Sequence, residues 1–405
     1  MNAPNRIAGA GRLADKPIRF FFDGIGYDGV QGDTLASALI ANDVHLVGRS
    51  FKYHRPRGML SAGAEEPNAL VTIERDAARK TPNVRATVQE LYQGLTATSQ
   101  NRWPSLAFDI GALNDLAAPM FSAGFYYKTF MWPKSAWKNF YEPNIRAAAG
   151  LGVAPELPDP DHYSSRYAHC EVLVLGGGAA GIAAALAAAE SGVRVILCDE
   201  QAELGGALRF EGGAKVNGVD GWSWAQSAVA KLAAMDNVRV LPRTTAFGYY
   251  AQNFVALAER VSEHLAEPGR ELPRERLWQV RAKRVIIATG AIERHMVFAD
   301  NDRPGIMLAS AARTYLNHFG VAVGNALEGV PFSFDNDMRA TYTGSLIELL
   351  NPYALLCGLV SVSMIVTQGG TWLAAKSDGA VAERARSYAT IAAAAMDQCA
   401  RRRDA

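Results

Sequence analysis

The sequence predicts an α/β protein of more than one domain, and three observations support this prediction. A buried apolar strand runs into a glycine-rich turn at residues 171–181, and an alanine-rich helix follows at once. A second apolar strand at residues 193–200 completes a strand–turn–helix–strand unit of the kind found in parallel sheets. With 405 residues, and roughly 150 residues per domain, the chain is long enough for two or three domains.

Composition argues against several classes of function. Lys and Arg number 41 against 40 Asp and Glu, so broad electrostatic attraction to nucleic acid is not expected. The four cysteines are scattered without a CxxC pair, which argues against a disulfide scaffold, a metal site or a cysteine-held iron–sulfur cluster. The N-terminal residues lack the apolar core of a secretory signal, so we expect a cytoplasmic protein.

The first predicted domain, residues 1–100, is a small sheet. Residues 17–32 predict two short strands that turn at an Asp-Gly dipeptide, because this pair tolerates positive φ in hairpins. Residues 33–46 predict a helix with Asp33 as its N-cap.

Two further regions follow. Residues 101–168 combine many aromatic side chains with prolines, which is typical of an irregular connector that large side chains tie to its neighbours. Residues 169–322 contain the glycine-rich turn and later strands at 237–241 and 284–288. This pattern predicts a Rossmann-type, dinucleotide-binding domain.

The glycine motif of this domain predicts the position of the dinucleotide. Gly176, Gly178 and Gly181 have GxGxxG spacing directly after the strand, where glycine permits the tight turn and a close approach to pyrophosphate. The helix N-terminus offers unpaired N–H groups to the phosphates. Asp199 ends the next strand, 18 residues beyond Gly181, where a carboxylate binds ribose hydroxyls. This acid, which the adjacent Glu200 could assist, favours FAD or NAD over NADP.

Two other segments strengthen the prediction. Gly205 and Gly206 follow the acid, where flavoproteins with two dinucleotide sites bring the backbone close to the cofactor. Thr289 and Gly290 follow the strand at 284–288 and match the Ala-Thr-Gly turn that closes such domains beneath the nucleotide. The alternative is a decayed site that keeps the fold.

The catalytic residues remain unknown from the sequence. His54, His295 and Cys198 have no HExxH, GxSxG or Cys–His context, so we expect each to be structural. The basic stretch Arg49–Arg57 is expected to be a solvated run of charge, with contact to a partner or a flavin phosphate as the alternative.

The end of the chain has a different character. From Leu349 to Ala375 there are 27 residues without Asp, Glu, Lys, Arg or His, and a transmembrane helix needs about 20 apolar residues. We therefore predict one long apolar, transmembrane-like helix over residues 346–376, with a buried helix as the alternative. Basic residues follow this segment and place its C-terminal side in the cytoplasm. The dinucleotide domain would then lie outside the cell, away from NAD, so the two parts require incompatible placements.

Residues 15–322 resemble the alpha subunit of heterotetrameric sarcosine oxidase. The matching runs include AGFYYKTFMWP, EVLVLGGGAAGIAAALAAAESG and ATGAIERHMVFADNDRPGIM. The resemblance implies a ferredoxin-like first domain without cluster cysteines, then an FAD/NAD(P)-binding domain that holds NAD. The NAD-binding residues it implies are Gly176, Gly178, Ala180, Gly181, Asp199, Glu200, Gln201, Ala207 and Ala246.

The same resemblance implies an activity that needs other chains. In this family, sarcosine is oxidised at an FAD on another subunit, an FMN lies between the two large subunits, and beta, gamma and delta subunits complete the complex. The products are glycine, hydrogen peroxide and formaldehyde or methylene-folate. We do not find the family's folate-binding half in the sequence, so we expect a truncated subunit that is inactive alone.

Residues 323–396 resemble an internal part of subunit II of cytochrome bd ubiquinol oxidase, through the runs GVPF, YTGS and LLNPYALLCGLVSVSM. We therefore interpret residues 323–405 as a separate fragment and the chain as a chimera: a genuine fusion, a rearranged gene or an assembly error. Membrane contact is expected only through residues 346–376. Two alternative functions remain, a respiratory-oxidase fragment with a soluble passenger and a subunit of another amine or opine dehydrogenase.

Overall fold

The computed structural model describes residues 3–120, 124, 132–295, 301–323, 332–334, 340–342 and 380–401. The chain divides into two compact units, Met1–Val323 and Gly324–Ala405. The first unit contains two large sheets, each with its own hydrophobic core.

Strands of the small first domain lie within residues 3–120. They are β1 (Pro17–Phe22), β2 (Ile25–Val30), β3 (Gly48–Arg49), β4 (Pro56–Arg57), β5 (Leu70–Glu74), β6 (Lys80–Arg85) and β7 (Thr96–Ser99). Five of them form one sheet in the order β2-β1-β7-β5-β6. β1 and β2 form the predicted hairpin, and both Asp23 and Gly24 at its turn have positive φ.

Helix α1 (Leu35–Ala41) packs on this domain with every residue buried. Thr34 is its N-cap, and the Thr34 hydroxyl accepts a hydrogen bond from the Ser37 N–H at 3.2 Å. The predicted N-cap at Asp33 is therefore wrong by one residue. Asp33 is buried instead, where its carboxylate accepts hydrogen bonds from the backbone and from Ser37 and pairs with Arg6.

The core of the first domain also includes residues from the end of the first unit. Tyr315 lies on a helix at Ala309–Asn317, is fully buried, and donates a hydrogen bond to the Ser61 carbonyl oxygen at 2.8 Å. Phe319 and Val321 belong to the same hydrophobic cluster. The chain thus returns to the small domain after it has formed the second one.

The connector contains short helical segments, namely a 3₁₀ helix (Ile110–Met120), a π-helix (Trp137–Tyr141) and α2 (Glu142–Ala148). Trp103, Phe108 and Trp132 are 66%, 69% and 83% exposed. The prediction that large side chains tie the connector to its neighbours is wrong for these three, because their rings do not pack on either domain of this chain.

The second domain has helices and strands in alternation. They are β8 (Tyr163–Leu175), α3 (Ala179–Glu190), β9 (Val195–Cys198), β10 (Lys215–Val216), β11 (Val219–Asp220), α4 (Gly221–Ala233), β12 (Val238–Leu241), β13 (Thr244–Tyr250), β14 (Phe254–Arg260) and β15 (Glu275–Ile287). The helix that follows them, α5 (Ala309–Asn317), packs in the core of the first domain. Its six-stranded sheet has the order β12-β9-β8-β15-β14-β13. The first four strands pair in parallel, and the last two pair antiparallel. The Rossmann-type part of the predicted fold class therefore agrees with the structure.

Alternate residues of these strands belong to two different cores. Val174 and Leu197 pack with Ile182 and other residues of α3 and α4. Their neighbours in sequence, such as Leu173, pack in a second cluster that contains the fully buried Trp278. Since both faces of the sheet are covered, the ends of the parallel strands remain for a ligand.

The second unit contains a hairpin of β16 (Phe332–Phe334) and β17 (Ala340–Tyr342), and the helix α6 (Ala380–Arg401). No helix in the described part of the chain combines the length and apolar character that crossing a membrane requires. α6 is 22 residues long but carries charged residues from its first turn onward. This finding corrects the third part of the predicted fold class, the transmembrane-like helix; its predicted range, residues 346–376, lies outside the described residues.

Candidate dinucleotide-binding site

The glycine-rich turn joins the end of β8 to the start of α3. Gly176 has a φ of +102°, and a Cβ at this position would overlap the carbonyl oxygen of Ala288. A Cβ on Gly181 would overlap the carbonyl oxygen of Gly176. Because these neighbours are backbone atoms that cannot move aside, the turn itself requires glycine at both positions.

Gly178 has a different environment. It is the N-cap of α3 with a φ of −74°, and no side chain caps the helix. A Cβ on Gly178 would meet only the Gly206 Cα, at 4.0 Å. The protein's own contacts therefore do not require glycine here, whereas the approach of a ligand would. The N–H groups at the start of α3 have the partial positive charge that suits an anion.

A second glycine loop lies against the first. The Gly205 N–H donates a hydrogen bond to the Gly177 carbonyl oxygen at 2.8 Å, and both Gly205 and Gly206 have positive φ. A Cβ on Gly206 would lie 2.9 Å from the Gly178 Cα. Ala207 follows in a 3₁₀ turn and is exposed. The two loops therefore approach each other more closely than side chains would allow.

Asp199 follows β9 and contacts the glycine turn. Its Oδ2 accepts a hydrogen bond from the Gly177 N–H at 2.6 Å, and its Oδ1 accepts one from the Gln201 N–H at 2.8 Å. Each carboxylate oxygen keeps a lone pair for a ribose hydroxyl. Burial raises the pKa of the half-buried Glu200, the charges of Asp199 and Glu65 raise it further, and Arg260 and Gln201 oppose the shift.

The remaining predicted residues lie on two other segments. The Ala288 N–H donates to the carbonyl oxygen of Leu175, the last residue before the glycine turn, at 2.7 Å. Thr289 and Gly290 directly follow Ala288 in the chain. Ala246 is exposed on β13, two residues after Thr244, whose N–H donates to the Asp199 carbonyl oxygen at 2.7 Å.

These contacts join the segments that carry every predicted site residue. The contacts connect the turn to Ala288, to the acid and to the second glycine loop, and they connect the acid to β13. The roles of these residues in binding remain a prediction.

The sequence did not indicate two arginines that contact the segment after the acid. Arg209 donates to the Gln201 side-chain oxygen at 3.2 Å, and Arg260 donates to the Glu200 carbonyl oxygen at 2.8 Å. Arg209 follows the second glycine loop closely, which was the only local signal. Arg260 had none, because it lies 60 residues from its partner.

The small domain is fastened to the same region. Arg243 makes two hydrogen bonds to the Glu90 carboxylate, at 2.6 and 2.7 Å. Arg260 also donates to the Val88 carbonyl oxygen at 3.1 Å. The loop that contains these small-domain residues therefore lies next to the acid that follows β9.

The structure gives contacts within the protein for His54 and His295, and it buries Cys198 in a strand. His54 Nδ1 lies 2.6 Å from a carboxylate oxygen of the buried Asp109, and His295 contacts the Asn301 carbonyl oxygen at 2.8 Å. Cys198 is buried in β9, and burial together with the charge of Asp199 raises its pKa to about 12. This thiol is therefore a poor nucleophile.

The basic stretch Arg49–Arg57 is not a uniformly solvated run. The Arg49 side chain is only 9% exposed and donates hydrogen bonds to the carbonyl oxygens of Leu106 and His54. Arg55 is 49% exposed. The expectation of a solvated charge run is thus wrong for Arg49, whose guanidinium ties the connector to the small domain.

Two comparisons with known proteins concern the class of protein to which the second domain is similar. The sequence model of FAD-dependent oxidoreductases matches residues 171–268. The crystal structure of L-proline dehydrogenase from P. horikoshii superposes with a TM-score of 0.51 at 20% identity, and the match covers 79% of this chain and 50% of that structure. At this identity the likeness shows the fold alone.

A particular relative is then identified. Sarcosine oxidase subunit alpha from Rhizobium meliloti is 57% identical over 308 residues, which are 76% of this chain and 31% of the relative. The resemblance to sarcosine oxidase alpha subunits is confirmed. The chain spans about a third of that relative's length.

The C-terminal part is similar to a different family. The sequence model of cytochrome bd terminal oxidase subunit II matches residues 305–398. A probable cytochrome oxidase subunit 2 from Haemophilus influenzae is 56% identical over 73 residues, which are 18% of this chain and 19% of the relative. The two resemblances in one chain fit the predicted chimera.

The first domain matches an iron–sulfur family without its ligands. The sequence model of a 2Fe-2S iron–sulfur cluster binding domain matches residues 15–102, yet that range contains no cysteine. Such a cluster is held by four cysteine thiolates, or by histidines in place of two of them. Within the described residues there is no group of three or more His, Cys, Asp or Glu that could hold a metal. The residues present therefore do not fit a cluster.

Proposed function

We propose that this chain supplies the dinucleotide-binding part of a flavin-dependent, amine-oxidising oxidoreductase of the sarcosine oxidase type. The observation that carries the proposal is the environment of Gly178. It lies at an uncapped helix N-terminus, beside an acid that ends the next strand, and a Cβ at this position would meet only the Gly206 Cα, at 4.0 Å.

We propose NAD as the dinucleotide at this turn. The N–H groups at the start of α3 would bind the pyrophosphate, and Asp199 and Glu200 would accept hydrogen bonds from the adenosine ribose. Two carboxylates would also repel the additional phosphate of NADP. FAD has the same adenosine diphosphate group, so the choice between NAD and FAD rests on the resemblance to sarcosine oxidase alpha subunits.

A bound dinucleotide supplies the redox chemistry, and the residues of this chain bind and orient it. Gly178 keeps the approach to the helix open, and Asp199 fixes the turn through the Gly177 N–H. The closely packed Gly205–Gly206 loop borders the same space.

Oxidation of sarcosine itself is proposed to need other subunits. By resemblance, the demethylating FAD lies on another chain, FMN lies between the two large subunits, and beta, gamma and delta subunits complete the enzyme. A cytoplasmic location, where NAD is present, goes with this proposal.

A titration of the purified chain with NAD, NADP and FAD tests the proposal. Gly178→Val should weaken NAD binding at least about tenfold, because its side chain would occupy the approach to the helix N-terminus, and its Tm should stay close to that of wild type, because the new Cβ meets only the Gly206 Cα, at 4.0 Å. Gly212→Val is the matched control, since a Cβ on Gly212 meets nothing within 4 Å.

Unchanged NAD affinity in Gly178→Val would overturn the site. Tight binding of FAD with no binding of NAD would keep the site and overturn the choice of NAD. Equal affinity for NADP and NAD would contradict the role of the two carboxylates.

A further inference from the structure

A half-buried arginine beside the second glycine loop makes no salt bridge to a carboxylate within the described residues. Arg209 ends the 3₁₀ turn Gly206–Arg209. One guanidinium nitrogen, Nη1, donates to Gln201 Oε1 at 3.2 Å, and the other, Nη2, contacts His318 Nε2 at 2.8 Å. Its Nε is buried without a hydrogen-bond partner in the described part of the chain. A buried charge that lacks an ion-pair partner costs stability, because its desolvation is not offset.

His318 acts as a neutral acceptor for this arginine. A guanidinium only donates, so His318 Nε2 must accept and carries no proton. His318 is 2% exposed, and burial together with the charges of Arg209 and Arg12 lowers its pKa to about 3. The ring is therefore uncharged near neutral pH, and its acceptor nitrogen is available to Arg209.

Residues on and directly after α5, a helix that packs in the core of the small domain, hold Arg209 and the segment that follows it. His318 directly follows α5, whose Tyr315 is buried in the first core. Two more contacts join α5 to the segment after Arg209. The Asn317 side chain donates to the Phe210 carbonyl oxygen at 2.8 Å, and Arg313 pairs with Glu211 at 2.7 Å.

Gln201 lies at the other end of this chain of contacts. Its side-chain oxygen accepts from Arg209, which orients the amide group. Gln201 directly follows Glu200, one of the two acids proposed for the ribose, and its backbone N–H donates to Oδ1 of the other acid, Asp199, at 2.8 Å. Hydrogen bonds thus lead from His318 through Arg209 to Gln201, whose backbone N–H contacts Asp199.

We propose that Arg209, held by His318, is a positioning residue that orients the Gln201 side chain at the ribose end of the dinucleotide site, beside Asp199. This inference rests on the proposed function. If it holds, the core of the small domain affects dinucleotide binding, because α5 packs in that core and positions His318 against Arg209.

Binding measurements on single and double variants test this inference. Arg209→Met should weaken NAD binding about tenfold, the effect of losing one charge-assisted hydrogen bond, and should reduce the preference for NAD over NADP. Gln201→Leu should have a similar effect. The double variant should be no weaker than the poorer single variant, because both changes break the same path.

Two substitutions of His318, one that keeps a neutral hydrogen-bond acceptor and one that removes it, allow a rescue experiment. His318→Gln keeps a neutral acceptor and should bind NAD within about twofold of wild type, whereas His318→Leu removes the acceptor and should resemble Arg209→Met. If Arg209→Met does not fold, this histidine pair gives the same decision.

The outcomes separate this inference from the proposed function. If wild type binds NAD and Gly178→Val does not, but Arg209→Met and Gln201→Leu are additive, only the role of Arg209 is overturned. Equal NAD affinities of His318→Gln and His318→Leu would also overturn it. If wild type binds no dinucleotide, both the proposed function and this inference fail.

Discussion

The Oδ2 atom of Asp199 accepts a hydrogen bond from the Gly177 N–H at 2.6 Å. The acid proposed for the ribose therefore also holds the glycine turn that would bind the pyrophosphate. Its second oxygen accepts from the Gln201 N–H, so both sides of the site depend on one carboxylate.

We expect Asp199→Ala to weaken both the protein and its ligand binding. Two backbone N–H groups would lose their acceptor, so the free energy of unfolding should fall by about 1–3 kcal/mol. NAD should bind more weakly, with less discrimination against NADP. Urea denaturation and calorimetry measure the two effects. Wild-type stability in Asp199→Ala would contradict the structural role, and unchanged NAD affinity would contradict the ribose role.

Glycines of the same motif should respond differently to alanine. Gly181→Ala should lower the free energy of unfolding by more than about 3 kcal/mol, or prevent folding, because the Cβ would overlap the Gly176 carbonyl oxygen. Gly178→Ala should stay within about 1 kcal/mol of wild type, because its Cβ meets open space. Chemical denaturation of both variants checks this, and equal losses would be inconsistent with the structure.

His318 should make stability depend on pH. Its folded pKa of about 3 lies below the ordinary 6.5, so the folded ring stays neutral while the unfolded ring takes up a proton. Its contribution is fully present above pH 6.5 and is lost as pH falls toward 3, on the order of 1 kcal/mol per pH unit. His318→Gln has no such proton, so its stability relative to wild type should improve across this window. Urea unfolding at pH 7, 6, 5 and 4 measures the difference, and a constant difference would refute the prediction.

The Glu90–Arg243 pair should contribute to attachment of the small domain. The two side chains are 17% and 22% exposed and make two parallel hydrogen bonds. A double-mutant cycle with Glu90→Gln and Arg243→Met should give a coupling energy of about 1–3 kcal/mol. Lys231–Glu190, with both side chains 55% exposed, is the control and should couple by less than about 1 kcal/mol. Equal coupling in the two pairs would show that the interdomain contact is weak.

Sarcosine should not be oxidised by the isolated chain, even with FAD, FMN and folate supplied. The proposal places the demethylating flavin on another subunit, so this chain would bind a dinucleotide without turning over the amine. An oxygen electrode with sarcosine as sole donor measures this directly. Oxygen consumption above a heat-treated control would mean that the chain contains a complete catalytic flavin site.

Local patterns were sufficient to predict the second domain. The strand, the glycine turn, the alanine-rich helix and the terminal acid lie within 30 residues, and each is decided by neighbours in sequence. Two of the predictions that failed depended on contacts outside such a window. Thr34 caps α1 in place of Asp33, because the Asp33 carboxylate forms an ion pair with Arg6, 27 residues away in sequence. Among the described aromatic residues of the connector, Trp103, Phe108 and Trp132 are mostly exposed, so these three do not anchor it.

The sequence by itself determined where a dinucleotide would be held, since glycine spacing, strand hydrophobicity and a terminal acid are local properties of the chain. Only the tertiary structure decided which glycine the fold itself requires: a Cβ on Gly181 would overlap the Gly176 carbonyl oxygen, whereas a Cβ on Gly178 would meet only the Gly206 Cα, at 4.0 Å. The tertiary structure also decided that His318 contacts Arg209, which is 109 residues away in sequence, next to a helix that packs in the first core. Such contacts form because burial of α5 brings distant residues together, and no local periodicity encodes which polar groups then lie within hydrogen-bonding distance.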